Sequence, residues 1–334
     1  MPSISPTNSH DTLPTFPDAS AVGVLESNGV KRRVTIDDAT GRLGGSLPDS
    51  SGSGSTVDKD VAARQIVKAI RGFISGKSHE RMIHNGSLWM GAPASAEKDH
   101  IDKLSRNNLK TLYKELGGLS AQESKFLTEF FNVPLYATHS TAAPVKREDD
   151  NIALFSRQKL IDRSIIFNTD NSPQEDIKLL GNDDFVFFAL EAGVEPKKPS
   201  SRFGGTTFRF GFDAPAFKDS AWLSLVEMRF AQTPNLDRHI DSLSGPEYAR
   251  VSKRKLNPFE TVFSGGDMRA GIGLSLIQDF RKLSPASNHR MLECTGEVEM
   301  NKLVNGFYRP EIKVARHFFS DNYREAAVRK DDKT

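Results

Sequence analysis

Cysteine is almost missing from this chain. Of 334 residues only Cys294 is one, which excludes an intramolecular disulfide framework and a cysteine-built zinc cage and suits a reducing compartment. Long hydrophobic runs are missing as well: nothing approaches the roughly 18 consecutive apolar residues of a membrane helix. Residues 1–17, rich in Ser, Thr, Pro and Asn, lack the basic and apolar blocks of a secretory signal. Net charge is nearly absent too. Lysine plus arginine total 45 against 43 aspartate plus glutamate, too even a balance to argue for nucleic acid or a membrane surface as partner. Several motifs of catalysis are also absent: G-x-S-x-G, G-x-x-x-x-G-K-[ST] and H-E-x-x-H do not occur, which removes the usual routes to acyl transfer, P-loop hydrolysis and zinc proteolysis. The glycine-rich residues 265–273 are therefore expected to be a turn leading into a helix. Arg238-His239-Ile240-Asp241 is too short a cluster to identify a metal site, so no metal is expected.

What is present begins with a polar tail. Hydrophobic residues make up 37% of the chain and mean hydropathy is -0.45. The deficit concentrates in residues 1–56, where stretches such as SLPDSSGSGS cannot bury enough apolar surface to offset chain entropy. That tail is expected to be disordered, with one basic, strand-like patch at residues 30–37. A helical region is expected over residues 57–132. Its first helix carries Val57, Val61, Ile66, Val67, Ile70 and Phe73 near one face and ends at Gly76. The second covers residues 97–116 with a seam of Ile101, Leu104, Leu109, Leu112 and Leu116, stopped by Gly117 and Gly118. The third covers residues 121–131, with Ser120 and Glu123 at capping-box spacing.

From Val133 the pattern turns mixed, and residues 133–321 are expected to form the catalytic domain. VPLYATHST reads as a strand ending in a loop, residues 184–190 as a buried strand, and TTFRFGF as a half-buried strand with Phe208, Phe210 and Phe212 on one face. Residues 222–230 fit either a helix or a strand. Residues 272–283 read as a helix, residues 291–300 and 312–318 as strands, and residues 322–334 as a frayed end.

Chemistry-bearing positions are few. In Thr138-His139-Ser140-Thr141 an imidazole and small hydroxyls end a strand, where they can meet a ribose hydroxyl and let a dinucleotide approach. A histidine that satisfies a loop carbonyl would look the same in sequence. Most phenylalanines in the second half belong to the core, and Cys294 reads as a small buried residue. Glu311, between Pro310 and an apolar strand, stands where a loop meets a sheet. A carboxylate there can hold a ribose hydroxyl and stabilise an oxocarbenium-like centre as nicotinamide departs.

A His ending an early strand, a later aromatic strand and a late Glu opening a strand, in that order, resemble the ADP-ribosyltransferase fold. Within it, the His139-Ser140-Thr141 stretch is similar to the H-[QS]-[ST] of the OspC-type effectors of bacterial type III secretion. The resemblance spans residues 134–320. It implies an α+β class, with N-terminal helices preceding a split antiparallel sheet of ADP-ribosyltransferase type, and NAD as substrate for ADP-riboxanation of arginine in a host protein. It would place His139, Ser140 and Thr141 at the dinucleotide, Phe187 or Phe188 against the nicotinamide ring, and Glu311 as catalytic glutamate. A further acid deprotonates the target arginine in that family; Asp213 and Asp237 are both candidates. Residues 1–10 resemble a type III secretion signal, which implies delivery into the host cytoplasm and a secretion chaperone as a further partner. No ankyrin repeat follows, a departure from the OspC pattern that leaves target choice open. The alternatives are a non-catalytic module that binds host protein through its helices, and an NAD hydrolase or glycosidase with paired acids.

Overall fold

In a computed structural model of the chain, residues 56–92, 100–142, 147–148, 151–169, 173–195, 203–230 and 243–327 are described. The tail over residues 1–55 with its secretion-signal and basic-patch expectations, the 238–241 cluster, Asp237 and the end beyond residue 327 lie outside them.

The first helix, α1 (Thr56–Asn85), does not stop at Gly76. Gly76 is buried, and the turns beyond it bury Ser78, His79, Met82 and Ile83, so packing outweighs the roughly 1 kcal/mol that glycine costs a helix interior. The expected seam is displaced as well: Val61, Ile66 and Phe73 are 48, 59 and 57% exposed, because only the second half of α1 lies on the core. A 3₁₀ turn at Ser87–Gly91 then carries Trp89 inward, its indole N–H donating to the carbonyl of Leu180 at 2.9 Å. The next two helices, α2 (His100–Leu116) and α3 (Ala121–Asn132), follow the sequence pattern. Gly117 ends α2 at φ 65°, and the capping box of α3 is closed by Ser120 and Glu123 at 3.2 and 2.7 Å.

β1 (Leu135–Thr141), β2 (Arg147–Glu148) and β3 (Asn151–Phe155) precede α4 (Arg157–Asp162) and α5 (Gln174–Leu180). Next come β4 (Phe185–Ala192), β5 (Thr206–Gly211), α6 (Pro215–Ser220), β6 (Ala221–Ser224), α7 (Gly245–Ser252) and β7 (Val262–Ser264). α8 (Asp267–Phe280), α9 (Pro285–Leu292) and α10 (Glu297–Phe307) lead to β8 (Glu311–Ala315), β9 (His317–Ser320) and β10 (Arg324–Ala327). Seven strands form one sheet in the order β10-β5-β1-β4-β8-β6-β7, antiparallel at each pairing, while β2, β3 and β9 form a second. The chain is thus α+β, with helices ahead of antiparallel sheet. Pairing of β1 with β4 ends at Thr138 opposite Ala189; beyond it β1 follows β5 alone and β4 follows β8, so the large sheet forks.

One face of that sheet packs Phe188, Phe210 and Ile312 against Phe130 of α3, Ile272, Leu276 and Phe280 of α8, and Val304 and Phe307 of α10. At the β4–β8–β6 end, the other face packs Phe185 and Trp222 against Met82 and Ile83 of α1 and Ile101 and Leu104 of α2. Asp184 ties these parts together, accepting from Ser78 at 2.7 Å and Ser156 at 2.9 Å. Its carbonyl takes the N–H of Arg316, the left-handed residue (φ 61°) that bends β8 into β9.

Three further expectations need correction. Residues 291–300 are not a strand but the end of α9 and the start of α10: Ser284 with Pro285 starts one helix and Gly296 the other, and the buried Met300, Leu303, Val304 and Phe307 of α10 fall at helical spacing. β5 is not half-buried, because Arg209 on its second face is also buried, ion-paired to Glu191 at 3.2 Å and donating to the carbonyls of Gly193 and Val194. Residues 324–327 do not fray; they pair with β5 as β10. The undecided stretch at 222–230 resolves into β6 and a loop. Residues 265–273 are a turn, with Gly265 at φ 52°, running into α8, which ends at Phe280.

Candidate active site

Glu311 owes its position to the turn before it. α10 closes with Tyr308 buried, its hydroxyl donating to Asp279, and with the N–H of Arg309 on the carbonyl of Val304 at 3.1 Å. Arg309 takes φ 81° and Pro310 cannot continue a helix, so the chain enters β8 at once. Burial and Asp279 push the Tyr308 phenol well above its ordinary value.

β8 is an interior strand, held on both sides. Glu311 lies opposite Ala189 of β4 and Ser224 of β6, and Lys313 opposite Phe187 and Trp222. Because alternate residues share a face, Ser140, Phe187, Glu311, Lys313, Trp222 and Ser224 fall on one side of the sheet. His139, Thr141, Phe188 and Ile312 fall on the other. Ser140 shares a hydrogen bond with Thr207 at 2.8 Å, and Phe187 is half-buried whereas Phe188 is enclosed by Phe210, Phe217 and Phe318.

The expected residues are therefore only partly brought together: Ser140, Phe187 and Glu311 share a face, and His139, Thr141 and Phe188 do not join them. His139 sits at the fork. Its Nδ1–H donates to the carbonyl of Phe187 at 2.8 Å, and burial lowers its pKa while that hydrogen bond acts the other way. Asp213 is 61% exposed beyond the end of β5, bound to Arg269 at 2.9 Å and Lys218 at 3.6 Å. It stands strands away from Glu311.

Sequence reasoning passed over Lys313, whose side chain is 1% exposed and whose Nζ is 2.6 Å from the Glu311 carboxylate. The available signal was a lysine between Ile312 and Val314, on the same strand face as Glu311. Cys294 is half-buried rather than buried, and burial raises its thiol pKa. A cavity of about 590 Å³ lies between α1, α2 and the start of α8, lined among others by His79, Asp102, Arg106 and Asp267, and holds none of the expected site residues. Among the described residues no group of His, Cys, Asp and Glu is arranged to hold a metal ion, and no helix is long and apolar enough to cross a membrane.

Helices ahead of a forked antiparallel sheet, with an acid opening an interior strand, define the class of fold. No family model matches the chain. In sequence it resembles the OspC family of arginine ADP-riboxanases: it is 25% identical over 298 residues to arginine ADP-riboxanase OspC1 of Shigella flexneri, covering 81% of this chain. It is 24% identical over 320 residues, 85% of the chain, to OspC3 of the same organism, and 24% identical over 297 residues, 80% of the chain, to CopC of Chromobacterium violaceum. The matched segments cover 62, 63 and 60% of those three relatives, so the chain spans about three-fifths of their length.

Proposed function

We propose that this chain is an NAD-consuming enzyme that transfers ADP-ribose to an arginine of a host protein, with riboxanation as the outcome and Glu311 as the catalytic carboxylate. The observation that carries this reading is the similarity, over about four-fifths of the chain, to several proteins named arginine ADP-riboxanases. In the same reading the chain is a type III effector delivered into the host cytoplasm.

The chemistry asked of the site is modest. The bond between the nicotinamide nitrogen and C1′ of the ribose breaks with its electron pair leaving on nicotinamide, and positive charge develops at C1′. The Glu311 carboxylate, its side chain 31% exposed, opposes that charge. Phe187 offers an aromatic surface and Ser140 a hydroxyl on the same face, which suits a dinucleotide's nicotinamide end. His139 then serves by holding the fork. The arginine nitrogen that attacks C1′ must lose a proton, for which Asp213, bound to Arg269, and Asp237 are both candidate acceptors.

The test is mass spectrometry of host-cell lysate incubated with labelled NAD and either the parent or Glu311→Ala. Label carried to a host protein by the parent alone is expected, with loss in the variant of about 100-fold or more, and the adduct mass separates transfer from riboxanation. No label with either protein would sink the reading and favour the second one, a binding module. That alternative draws on the exposed Val61, Ile66 and Phe73 of α1.

A further inference from the structure

The face that carries Glu311 holds a second charge. An ammonium as deeply buried as that of Lys313 is costly unless paired and hydrogen-bonded. Its Nζ lies 2.6 Å from the Glu311 carboxylate, donates to Ser224 Oγ at 3.0 Å and approaches the Glu311 carbonyl oxygen at 3.5 Å. It also stands 4.5 Å from the ring centre of Trp222 and 5.7 Å from that of Phe187.

These contacts follow from register. Phe187 and Trp222 sit opposite Lys313 on the strands to either side, so two aromatic faces flank the side chain and hold its cation. The ammonium then leans along β8 toward Ser224 and Glu311, which occupy the adjoining row. The cation is fixed by packing on an interior strand, whereas the Glu311 side chain is 31% exposed with torsions of its own. In such a pair the mobile partner is set by the fixed one.

We infer that Lys313 is a positioning residue for Glu311, holding its carboxylate in one orientation on the face shared with Ser140 and Phe187. This deepens the proposed function and rests on it. Without the cation, the carboxylate is released into several staggered rotamers, and loss of orientation at a reacting group is a loss of turnover rather than of binding.

The experiment is steady-state nicotinamide release by the full chain and by Lys313→Met, Lys313→Gln and Lys313→Arg, each in host-cell lysate that supplies the acceptor and read above lysate alone, with NAD titration and thermal unfolding of each purified protein. Lys313→Met should bind NAD within about 3-fold of the parent yet lose about 100-fold in kcat, and Lys313→Arg, which keeps a cation beside Trp222, should recover at least about a tenth of parental turnover. Lys313→Gln keeps the test open should methionine unfold the chain. In the melt, Glu311→Gln strands the buried charge and should lower Tm, and Glu311→Gln combined with Lys313→Met should recover it. Parental turnover in the uncharged variants overturns the inference alone, as does loss of NAD binding in step with kcat. A parent that releases no nicotinamide overturns the proposed function and the inference with it.

Discussion

His139 donates to the carbonyl of Phe187 where β1 and β4 part, so its imidazole replaces a ladder hydrogen bond that the fork removes. Changing His139→Ala should leave that carbonyl unpaired and cost about 1–3 kcal/mol in urea unfolding. Two other histidines set a pH response: burial lowers His79 and His317 from 6.5 to about 4, and neighbouring cations add to the effect at His317. A group whose folded pKa is depressed gives stability that is complete above its unfolded pKa and lost as pH falls through the folded one. Tm should therefore decline from pH 6.5 toward 4. Carboxylates contribute little to the upper part of that window. Glu123, held at about 2 chiefly by Arg281, and Glu247, held low by the Ser284 N–H and Ser244, lose their contribution only below 4.5. Replacing His79→Phe should flatten the decline measured between pH 6.5 and 4.5. The sequence singles out Glu311 because it opens a strand directly after Pro310, and His139 because it lies near the end of β1 where the chain turns polar. Lys313 was not: a lysine in an apolar strand looks like the solvent-facing partner of an alternation until an interior position and two flanking aromatics bury it.

Helices were legible where caps and seam agreed. For α3, Ser120 and Glu123 sit at capping spacing, and Glu123 also receives Arg281 of the α8 C-terminus at 2.7 and 2.8 Å. Ser120→Ala should cost about 1 kcal/mol, and Glu123→Ala should shift the urea midpoint further because it frees both the α3 cap and the tie to α8. Where apolar residues clustered without a decisive period, as at 291–300, strand and helix were not separable, and Ser284, Pro285 and Gly296 were the signals that decided it. α1 departs from its sequence pattern for a different reason: its apolar residues are real, but Val61, Ile66 and Phe73 over its first half are exposed, which sequence periodicity does not register. The approach to β8 makes its own prediction. With Arg309 at φ 81°, Arg309→Gly should leave stability unchanged or raise it by up to about 1 kcal/mol, and Arg309→Val should lower it, as read from denaturant midpoints.

The sheet's edges close the molecule. β10 covers β5, and Tyr323 just before it meets Phe208 at 5.8 Å between ring centres. Removal of residues 324–334 should expose the β5 backbone and lower Tm, with more self-association visible by light scattering. Strand order was the part of the fold least legible in sequence, since neighbours such as β4 and β8 are far apart in the chain and no local pattern encodes their pairing. The same order carries a consequence for how the protein is made. β8 lies between β4 and β6, so it is the seam that joins β10-β5-β1-β4 to β6-β7. A ribosome that has delivered everything up to α10 has delivered the strands β5, β1 and β4 on one side and β6 and β7 on the other, but not β8, the strand that pairs both groups. The strand that brings Glu311 is also the one that joins the two half-sheets, so an interrupted nascent chain has neither a joined sheet nor a carboxylate to misuse.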